Sequence, residues 1–368
     1  MRSVASPTLV YLCDWLPPEF GAVGQYALLC AHARAVEGDH VVLYGLTSGV
    51  ARVEELSVGR GHLKCIRLAA PAYDRSNLRQ RAWWTFATNI ALVCHALPDL
   101  CRCRELMFTG SPPFLLHFVA FVNLFLRKTL IYRITDFFPE ALIAELGRRP
   151  WYLAALQRLT RFWRRRVDRI EVLGEDQRRR LLASGVSPDR ILLRRDASPV
   201  PVGPDTLPLA RPDPLAGRKV LLYSGNFGVA HDHETFLSGY RRHHREGSAQ
   251  VVLWLNAVGA RADLLERALA GEGLPCHRTR PVPIEQLARL LVTPDAHLVT
   301  LRDPFWGYVL PSKIYGCIDS GKPILYVGPE ESDVHLLGRG KRTPGWYRRV
   351  AVGDSDGIFA ALERIGGG

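Results

Sequence analysis

A lysine preceded by a proline and a hydroxyl residue is the feature of this sequence best suited to chemistry. Pro311, Ser312 and Lys313 are followed by Tyr315 and Gly316. Proline favours the first turn of a helix, because its missing N–H would be unpaired there anyway. The free N–H groups that follow lie at the positive end of the helix dipole, where anions bind, and Lys313 would add a full charge. Tyr315 could stack on a ring or contact a ribose. The segment therefore predicts a diphosphate site.

The residues behind this segment fit a helix that ends in a glycine turn. Gly321 suits the C-terminal turn, Lys322 and Pro323 restart the chain, and residues 324–327 are apolar enough for a buried strand. An ordinary helix start with a solvated lysine is the alternative interpretation of the triplet alone. The surrounding pattern favours the anion site.

Other loops of the second half could contact the same ligand. Gly225 and Gly228 follow a predicted strand, and glycine lets the backbone approach a phosphate that a side chain would obstruct. The remaining candidates for donor contact are Asn226, Phe227, His231, Asn256, Arg280 and Arg302. Simpler roles compete with these: a loop arginine is often solvated, Asn256 can complete a turn, and Asp232 can cap a helix.

Asp136 is the leading acidic candidate, either as a base or as an anchor for a hydroxyl group. It follows a predicted strand and precedes Pro139. Capping of the next helix is an equally good interpretation, because aspartate often caps helices from such loops. Glu140 fits a first-turn partner of the helix dipole better than a catalyst.

Composition predicts a globular protein with two domains and a polyanionic partner. The 368 residues are 47% hydrophobic and 23% charged, which suffices for two separate cores. Lys and Arg number 48 against 36 Asp and Glu, for a net charge of +12, and much of the excess lies in residues 158–169 and 178–195. Nucleic acid, anionic lipid and phosphorylated ligands are the possible partners. We exclude nucleic acid, because no nucleic-acid motif is present.

The eight cysteines have no spacing typical of a disulfide framework or a zinc site. Cys101 and Cys103, near Cys94, come closest, but one intervening residue is too few for a typical metal pair. We therefore expect a reduced, cytoplasmic protein without a metal. The N-terminus is predicted to enter a strand rather than a signal peptide. Residues 114–126 are too short to cross a bilayer, although the basic residues behind them would suit an interfacial helix.

Short apolar runs alternate with amphipathic segments, which is typical of parallel sheets with crossover helices. In the first half, strands are predicted near 8–13, 40–44, 64–68, 105–109, 130–134 and 169–173, and helices near 22–37, 77–97, 113–126, 150–166 and 175–184. A second series of the same kind runs from 219 to 327. The predicted fold class is α/β.

Proline-rich residues 201–217 predict a linker between two domains. The expected boundaries are 1–200 for the first domain and 218–345 for the second. Residues 346–368 are predicted to form a C-terminal helix that packs back towards the first domain.

The order of these motifs resembles a known family. In the second half, the resemblance is carried by residues 223–228, 297–301, 310–316 and 320–323, of which the last are Ser-Gly-Lys-Pro. In the first half, it is carried by residues 17–26, 110–113 and 135–140. Together they are similar to the retaining GT-B glycosyltransferases of the bacterial polysaccharide and lipopolysaccharide class, in the branch that carries Pro-Ser-Lys. The resemblance covers nearly the whole chain.

The resemblance implies two Rossmann-like, doubly wound parallel-sheet domains that face a cleft. It implies transfer of a sugar, with retention, from a UDP- or GDP-sugar to a hydroxyl acceptor, without a metal or a permanently bound cofactor. Lys313 would neutralise the departing diphosphate, and the acceptor-side loop would contain Phe20, Gly21, Gly24 and Gln25.

One departure from the wider superfamily leaves alternatives open. Many members have two glutamates eight positions apart in the donor site, and the matching positions here are Tyr308 and Gly316. Ribose recognition must therefore come from elsewhere. A nucleotide-sugar 2-epimerase of the same fold and a scaffold that has lost catalysis remain the competing interpretations.

The acceptor side is expected to meet a membrane. Trp83, Trp84, the helix within 114–126 and the arginines of 158–166 combine aromatic and cationic groups, which suits the headgroup layer of an anionic membrane. We expect a protein peripheral to the inner face of the cell membrane and a polyprenyl-diphosphate-linked or other saccharide acceptor. The alternative is that the apolar helix only covers the sheet.

Overall fold

The computed structural model describes residues 6–19, 21–71, 78–340 and 346–367. The chain divides into two compact units between Arg195 and Asp196. Each unit has its own parallel sheet flanked by helices, as the alternation of the sequence predicted.

The first unit is built on an eight-stranded sheet. Its strands are β1 (Leu9–Trp15), β2 (His40–Thr47), β3 (Arg52–Val58), β4 (Gly61–Ala69), β5 (Glu105–Thr109), β6 (Thr129–Ile134), β7 (Arg169–Val172) and β8 (Ile191–Leu193). They lie in the order β3-β4-β2-β1-β5-β6-β7-β8, and β3 pairs with β4 in antiparallel orientation while the other pairs are parallel. The helices are α1 (Ala22–Glu37), α2 (Leu78–Arg102), α3 (Leu115–Leu126), α4 (Glu140–Leu146), α5 (Trp151–Arg164) and α6 (Glu175–Ala183).

The second unit has a six-stranded parallel sheet. Its strands are β9 (Lys219–Asn226), β10 (Val251–Val258), β11 (Cys276–Thr279), β12 (Ala296–Thr300), β13 (Ile324–Val327) and β14 (Tyr347–Val350), in the order β11-β10-β9-β12-β13-β14. The helices are α7 (Glu234–Arg245), α8 (Ala260–Gly271), α9 (Ile284–Val292), α10 (Lys313–Asp319), α11 (Asp333–Gly338) and α12 (Ser355–Gly367).

The central strands are apolar along their whole length because helices cover both faces of the sheet. Residues 9–12 of β1 and 220–223 of β9 are fully buried. One large core cluster in each unit joins such strands to the apolar faces of neighbouring helices. The long apolar runs of the sequence thus become the middle of each sheet.

Both sheets have a point at which the strand order reverses. From β1 the chain passes to β2 on one side, and β5 lies on the other; from β9 it passes to β10, and β12 lies on the opposite side. In open α/β sheets, ligands bind outside the carboxyl ends of strands at such switch points. We therefore expect a ligand site at the carboxyl ends of the strands next to the switch point of each sheet.

The predicted strands and helices of both halves are found within a few residues of their expected positions. The sequence predicted a helix after Pro139, which is α4, but it did not predict β3, β8, β14 or the short helix α11. These elements are brief or, in β3, largely exposed, so their hydrophobic pattern is weak.

The predicted boundaries need two corrections. The second unit already begins at Asp196, and the proline-rich segment packs on it: Leu215 is buried with strand residues of β9 and β10. Residues 346–367 contribute β14, which pairs with β13, and α12, which packs against α7. They belong to the second unit, whereas the sequence predicted a return to the first domain. Their apolar face is needed to complete this core.

Candidate active site

A buried cation marks the switch point of the second unit. Nζ of Lys313 lies 3.2 Å from the centroid of the Tyr223 ring. Nζ is buried and has no hydrogen-bond partner in the described part of the chain. An aromatic face attracts a cation, but it does not replace the hydration that a buried ammonium loses. Burial therefore holds the pKa of Lys313 well below its usual value. No ion pair to this ammonium is found among the described residues.

The sequence predicted that Lys313 would face a ligand directly, whereas the structure turns its ammonium onto the Tyr223 ring. α10 is only seven residues long, and its N-cap residue Ser312 makes no side-chain capping bond. Pro311 is buried. The lysine as a whole is only partly buried, so rotation of its flexible side chain would expose Nζ.

Aromatic rings from β9 and the loop behind it form the wall of this site. Tyr223 and Phe227 are stacked with their centroids 4.0 Å apart. His231 meets both rings edge-on, at 5.9 and 5.7 Å. Tyr223 and Phe227 are fully buried, so Phe227 supports the site rather than offering its ring to a ligand.

His231 is held in one neutral tautomer. Its Nδ1–H donates to the carbonyl of Thr300, at 2.6 Å, so that Nε2 carries the lone pair. Burial, and then the charge of Lys313, lower the pKa of His231 to about 3. Thr300 is the last residue of β12, and its own Oγ1 is buried without a partner in the described ranges. The two strands of the switch point thus both contribute polar groups.

The glycine loop leaves open space next to these groups. Gly225 has φ +101, which side-chain-bearing residues rarely adopt, and no atom lies within 4 Å of the place where its Cβ would be. Asn226 is exposed, and its amide lies near Gly228 and Gly259. The open space at Gly225 leaves room for a ligand beside the backbone.

Arg302 lies against the loop that carries His231. Its backbone N–H donates to Ala230 O at 2.8 Å, and its Nη1 donates to Val229 O at 3.2 Å. The guanidinium is partly exposed. The structure therefore brings Lys313, His231 and Arg302 to one edge, together with the glycine loop.

Two predicted donor residues are placed elsewhere. Nδ2 of Asn256 donates to Thr279 Oγ1 at 2.8 Å and to Arg280 O at 2.6 Å, so the amide joins β10 to the edge strand β11. The side chain of Arg280 is exposed beyond β11, and β10 separates that strand from β9. Neither joins the Lys313 group.

The helix behind Lys313 is packed rather than open. Tyr315 is buried, so its ring offers no free stacking surface. A Cβ at Gly316 would lie 2.9 Å from Cδ1 of Leu291 in α9. Gly316 therefore lies at a close packing position, and a larger side chain there would require Leu291 to shift.

A polar groove of about 400 Å³ lies further along the same edge. It follows the carboxyl ends of β12, β13 and β14. Its lining includes Asp303, Trp306, Glu330, Glu331 and Arg349. The sequence reading did not single out these residues. Carboxylates beside a tryptophan suit a ligand rich in hydroxyl groups.

The first unit has carboxylates at its own switch point. Oγ of Ser111, behind β5, donates to Oδ2 of Asp14 in β1 at 2.5 Å. Asp136 follows β6 on the same edge. Burial, and then the charge of Asp14, raise the pKa of Asp136 to about 6. The pair can therefore hold a proton or accept hydrogen bonds from a hydroxyl group.

The alternative role for Asp136 is not seen. α4 has Pro139 at its N-cap and no side-chain capping bond. Glu140 is buried and paired with Arg164, whose Nη1 lies 2.9 Å from its Oε1, so it is structural. Asp232 does cap: its Oδ1 accepts from the N–H of Thr235 at 3.0 Å.

The predicted acceptor-side loop is only partly visible. Phe20 lies outside the described residues. A Cβ at Gly24 would lie 1.7 Å from the carbonyl oxygen of Trp15, so this glycine allows α1 to pack on the end of β1. Gly21 precedes α1 with open space around it, and Gln25 is partly buried. Gly24 is therefore structural, while the other two remain candidates.

Asp14, Ser111, Tyr223 and Thr300 were missed by the sequence reading. All four lie in or directly behind strands that flank a switch point. Strand order was the missing signal, because it decides which strand ends meet and cannot be read from the alternation of elements alone.

Among the described residues, no group of three or more His, Cys, Asp or Glu side chains could hold a metal ion. None of the helices in those ranges is long and apolar enough to cross a membrane.

No family model matches the sequence, and no curated protein matches it either. Solved structures do match. Anabaena HepE, in complex with UDP and glucose, has 10% identity and a TM-score of 0.65 over 97% of this chain and 89% of that one. The E. coli trehalose-6-phosphate protein bound to UDP-2-fluoro glucose has 14% identity and a TM-score of 0.59, over 97% and 90%. WaaG, a glycosyltransferase of lipopolysaccharide biosynthesis, has 13% identity and a TM-score of 0.59, over 98% of this chain and 90% of that one. The likeness shows that this chain has the GT-B fold.

Replacing Lys313 by methionine should stabilise the protein. The change removes a buried charge that lacks a counter-ion, so we expect a free energy of unfolding about 1–2 kcal/mol higher at pH 7. Because the pKa of Lys313 is lower in the folded state, the unfolded chain binds more protons, and wild-type stability rises towards pH 10. The gain should therefore shrink with rising pH. Denaturant unfolding at pH 7 and pH 9 measures both effects.

Lys322→Met is the matched control, because Lys322 is partly exposed behind the same helix. It should leave stability within about 0.5 kcal/mol. A Lys313→Met protein less stable than wild type would contradict an uncompensated charge at this site.

Proposed function

We propose that this chain is a glycosyltransferase that moves a sugar from a nucleoside-diphosphate sugar to a hydroxyl acceptor. The observation that carries the proposal is the Lys313 ammonium, buried at a switch point without a counter-charge, next to open space at Gly225. A diphosphate supplies that charge. The HepE structure contains UDP and glucose, and the E. coli structure contains a UDP-sugar analogue, which supports a UDP-sugar as the donor.

The second unit stabilises the leaving group. Negative charge builds on the diphosphate as the glycosidic bond breaks, and preorganised donors aimed at that charge lower the barrier. Lys313 and Arg302 supply cations and the loop at Gly225 supplies backbone N–H. His231, neutral and with a lone pair on Nε2, accepts a hydrogen bond from the donor. With this charge compensation, the hexosyl transfer proceeds without a metal or a permanently bound cofactor.

The first unit positions the acceptor. Asp136, beside Asp14 and Ser111, accepts a hydrogen bond from the attacking hydroxyl group. In line with the Pro-Ser-Lys resemblance, the reaction retains the anomeric configuration. The hydroxyl then attacks from the face of the leaving group and its proton passes to the departing diphosphate oxygen, while Asp136 orients the hydroxyl.

The acceptor is a lipid-linked saccharide of surface polysaccharide synthesis, and the first unit meets an anionic membrane. α3 lies between α2 and α5, and one of its faces is buried on the sheet. Large aromatic residues of α2, α3 and α5 are exposed: Trp83, Phe86, Phe121, Phe125, Trp151 and Phe162. Exposed arginines accompany them at positions 148, 149, 158 and 166. We call these ten residues the aromatic–basic surface. Such a surface complements anionic headgroups and the acyl boundary below them.

Nucleotide release should depend on an acceptor. Wild-type protein is incubated with a panel of UDP- and GDP-sugars, with and without lipid-linked saccharides, and the nucleoside diphosphate is measured. Lys313→Met should lower release at least 100-fold, because it removes a donor to the charge of the transition state, and Lys322→Met should be unaffected. Formation of an epimer without transfer would establish the epimerase instead. Donor binding without any turnover would establish a scaffold.

Transfer should require ionised Asp136. Because the pKa of Asp136 is raised to about 6, activity should fall below that pH as the carboxylate is protonated and can no longer accept a hydrogen bond. Asp136→Asn should lower kcat about 100-fold or more and flatten this limb of the pH profile. Exposed Asp189→Asn serves as the control. An unchanged acidic limb in Asp136→Asn would contradict the role.

The aromatic–basic surface should bind anionic vesicles. The protein should sediment with vesicles that contain phosphatidylglycerol at low salt and be released by high salt. Each arginine near the surface contributes about 1 kcal/mol, so the double change Arg158→Gln and Arg166→Gln should weaken binding more than tenfold. Leu264→Ser, at an exposed apolar residue of the second unit, is the control. Absence of binding at low salt refutes membrane attachment.

A further inference from the structure

The first unit contains an apolar groove that the proposed chemistry leaves unused. It has a volume of about 340 Å³ and lies between the carboxyl ends of β2 and β4 and the first half of α2. Its apolar lining includes Leu46, Leu68, Trp83, Trp84, Ala87 and Ala91. Sugars and nucleotides are rich in hydroxyl groups and charges, so a groove of this kind matches neither. A hydrocarbon is the ligand that gains free energy by entering it.

A tryptophan of the groove packs against the strand that carries Asp14. Trp84 lines the groove, and its ring stacks on Trp15 with the centroids 5.7 Å apart. Trp15 directly follows Asp14, which binds Ser111. Nε1 of Trp84 donates to Pro71 O at 2.9 Å, which fixes the orientation of the ring. A molecule whose hydroxyl lies at the carboxylates can therefore extend past Trp15 into the groove.

The groove also meets the aromatic–basic surface. Trp83 lines the groove and is 71% exposed. Its ring lies 6.2 Å from that of Phe86, which in turn lies 5.7 Å from that of Phe118 in α3. Apolar side chains thus continue from the groove to the surface proposed to meet the membrane.

Cationic groups stand at the entrance to α2. Arg79 and Arg81 lie in its first turn, and Arg79 precedes Trp83 by four residues, so the two share a helix face. An anionic linker between a sugar and a hydrocarbon chain would find positive charge there. The charge and the apolar lining together fit an amphiphilic phosphate.

We propose that this groove binds the hydrocarbon chain of the lipid-linked acceptor, with the phosphate near the first turn of α2 and the acceptor sugar at Asp14 and Asp136. This deepens the proposed function and rests on it for the identity of the sugar. Each methylene buried contributes about 0.8 kcal/mol, or roughly fourfold in affinity, until the groove is filled. The groove therefore selects acceptors by the presence and length of their chain.

Acceptors with one head group and increasing chain length test the proposal. With wild-type protein, the KM should fall at least tenfold from a short to a long chain at unchanged kcat. Ala87→Phe should fill the groove and abolish this gain, while the KM for the short acceptor stays unchanged. Ala82→Phe, on the exposed side of the same helix, should behave as wild type. Ala91→Phe provides a second filled groove, should Ala87→Phe fail to fold by circular dichroism.

Direct binding separates this inference from the proposed function. Farnesyl phosphate should bind at least tenfold more tightly than inorganic phosphate by calorimetry, and groove-filling variants should lose that difference. If the protein transfers sugars but KM does not depend on chain length and farnesyl phosphate binds no better than phosphate, the groove proposal is overturned while the transferase stands. If farnesyl phosphate binds through the groove but no sugar is transferred, the groove stands and the transferase fails.

Discussion

The contact between the Lys313 ammonium and the Tyr223 ring is the interaction on which the rest of the site depends. Tyr223 is held by β9, and Lys313 begins the helix that follows β12. The two meet only because β9 and β12 are neighbours in the sheet. A buried cation without hydrogen bonds costs stability, so the surrounding core must hold it in place. A ligand with a negative charge pairs with this ammonium and removes the cost. Part of the binding free energy then comes from the relief of that cost.

Each unit has a switch point in its sheet, and the side chains at the two switch points carry opposite charges. At the switch point of the first unit lie Asp14 and Asp136, and burial, with the charge of Asp14 second, raises the pKa of Asp136 to about 6. At the switch point of the second unit lie Lys313 and Arg302, where burial, with the charge of Lys313 second, lowers the pKa of His231. A carboxylate edge suits a neutral ligand that donates hydrogen bonds, such as a sugar hydroxyl, and a cationic edge suits a phosphate. This division of charge agrees with a reaction in which one unit holds the acceptor and the other holds the donor.

Much of the fold could be predicted from the sequence because the period of apolar residues differs between buried strands and amphipathic helices. The site could be predicted only where a residue type has few alternatives, as with Lys313 in Pro-Ser-Lys or Gly225 behind a strand. Asn256 and Glu140 show the limit: both are polar residues near strand ends, yet their partners, Thr279 and Arg164, lie 23 and 24 residues away in sequence. Asp14 is the opposite case. Its local sequence does not distinguish it from other aspartates, and it becomes a site candidate only because β5 and β6 place Ser111 and Asp136 near it. Tertiary neighbours decide which polar groups are free to act.

The absence of the superfamily's glutamates at Tyr308 and Gly316 admits a scaffold without catalysis, but the energetics of Lys313 argue against it. At Gly316 a Cβ would lie 2.9 Å from Cδ1 of Leu291, so this glycine has a structural role in the packing of α10 on α9. Lys313 has no such structural account, because a methionine would fill the same space without a buried charge. In a protein that binds no anion, the lysine would only reduce stability. Residues that lower stability without serving the core are characteristic of functional sites. The buried ammonium therefore favours a chain that still binds a diphosphate at this edge.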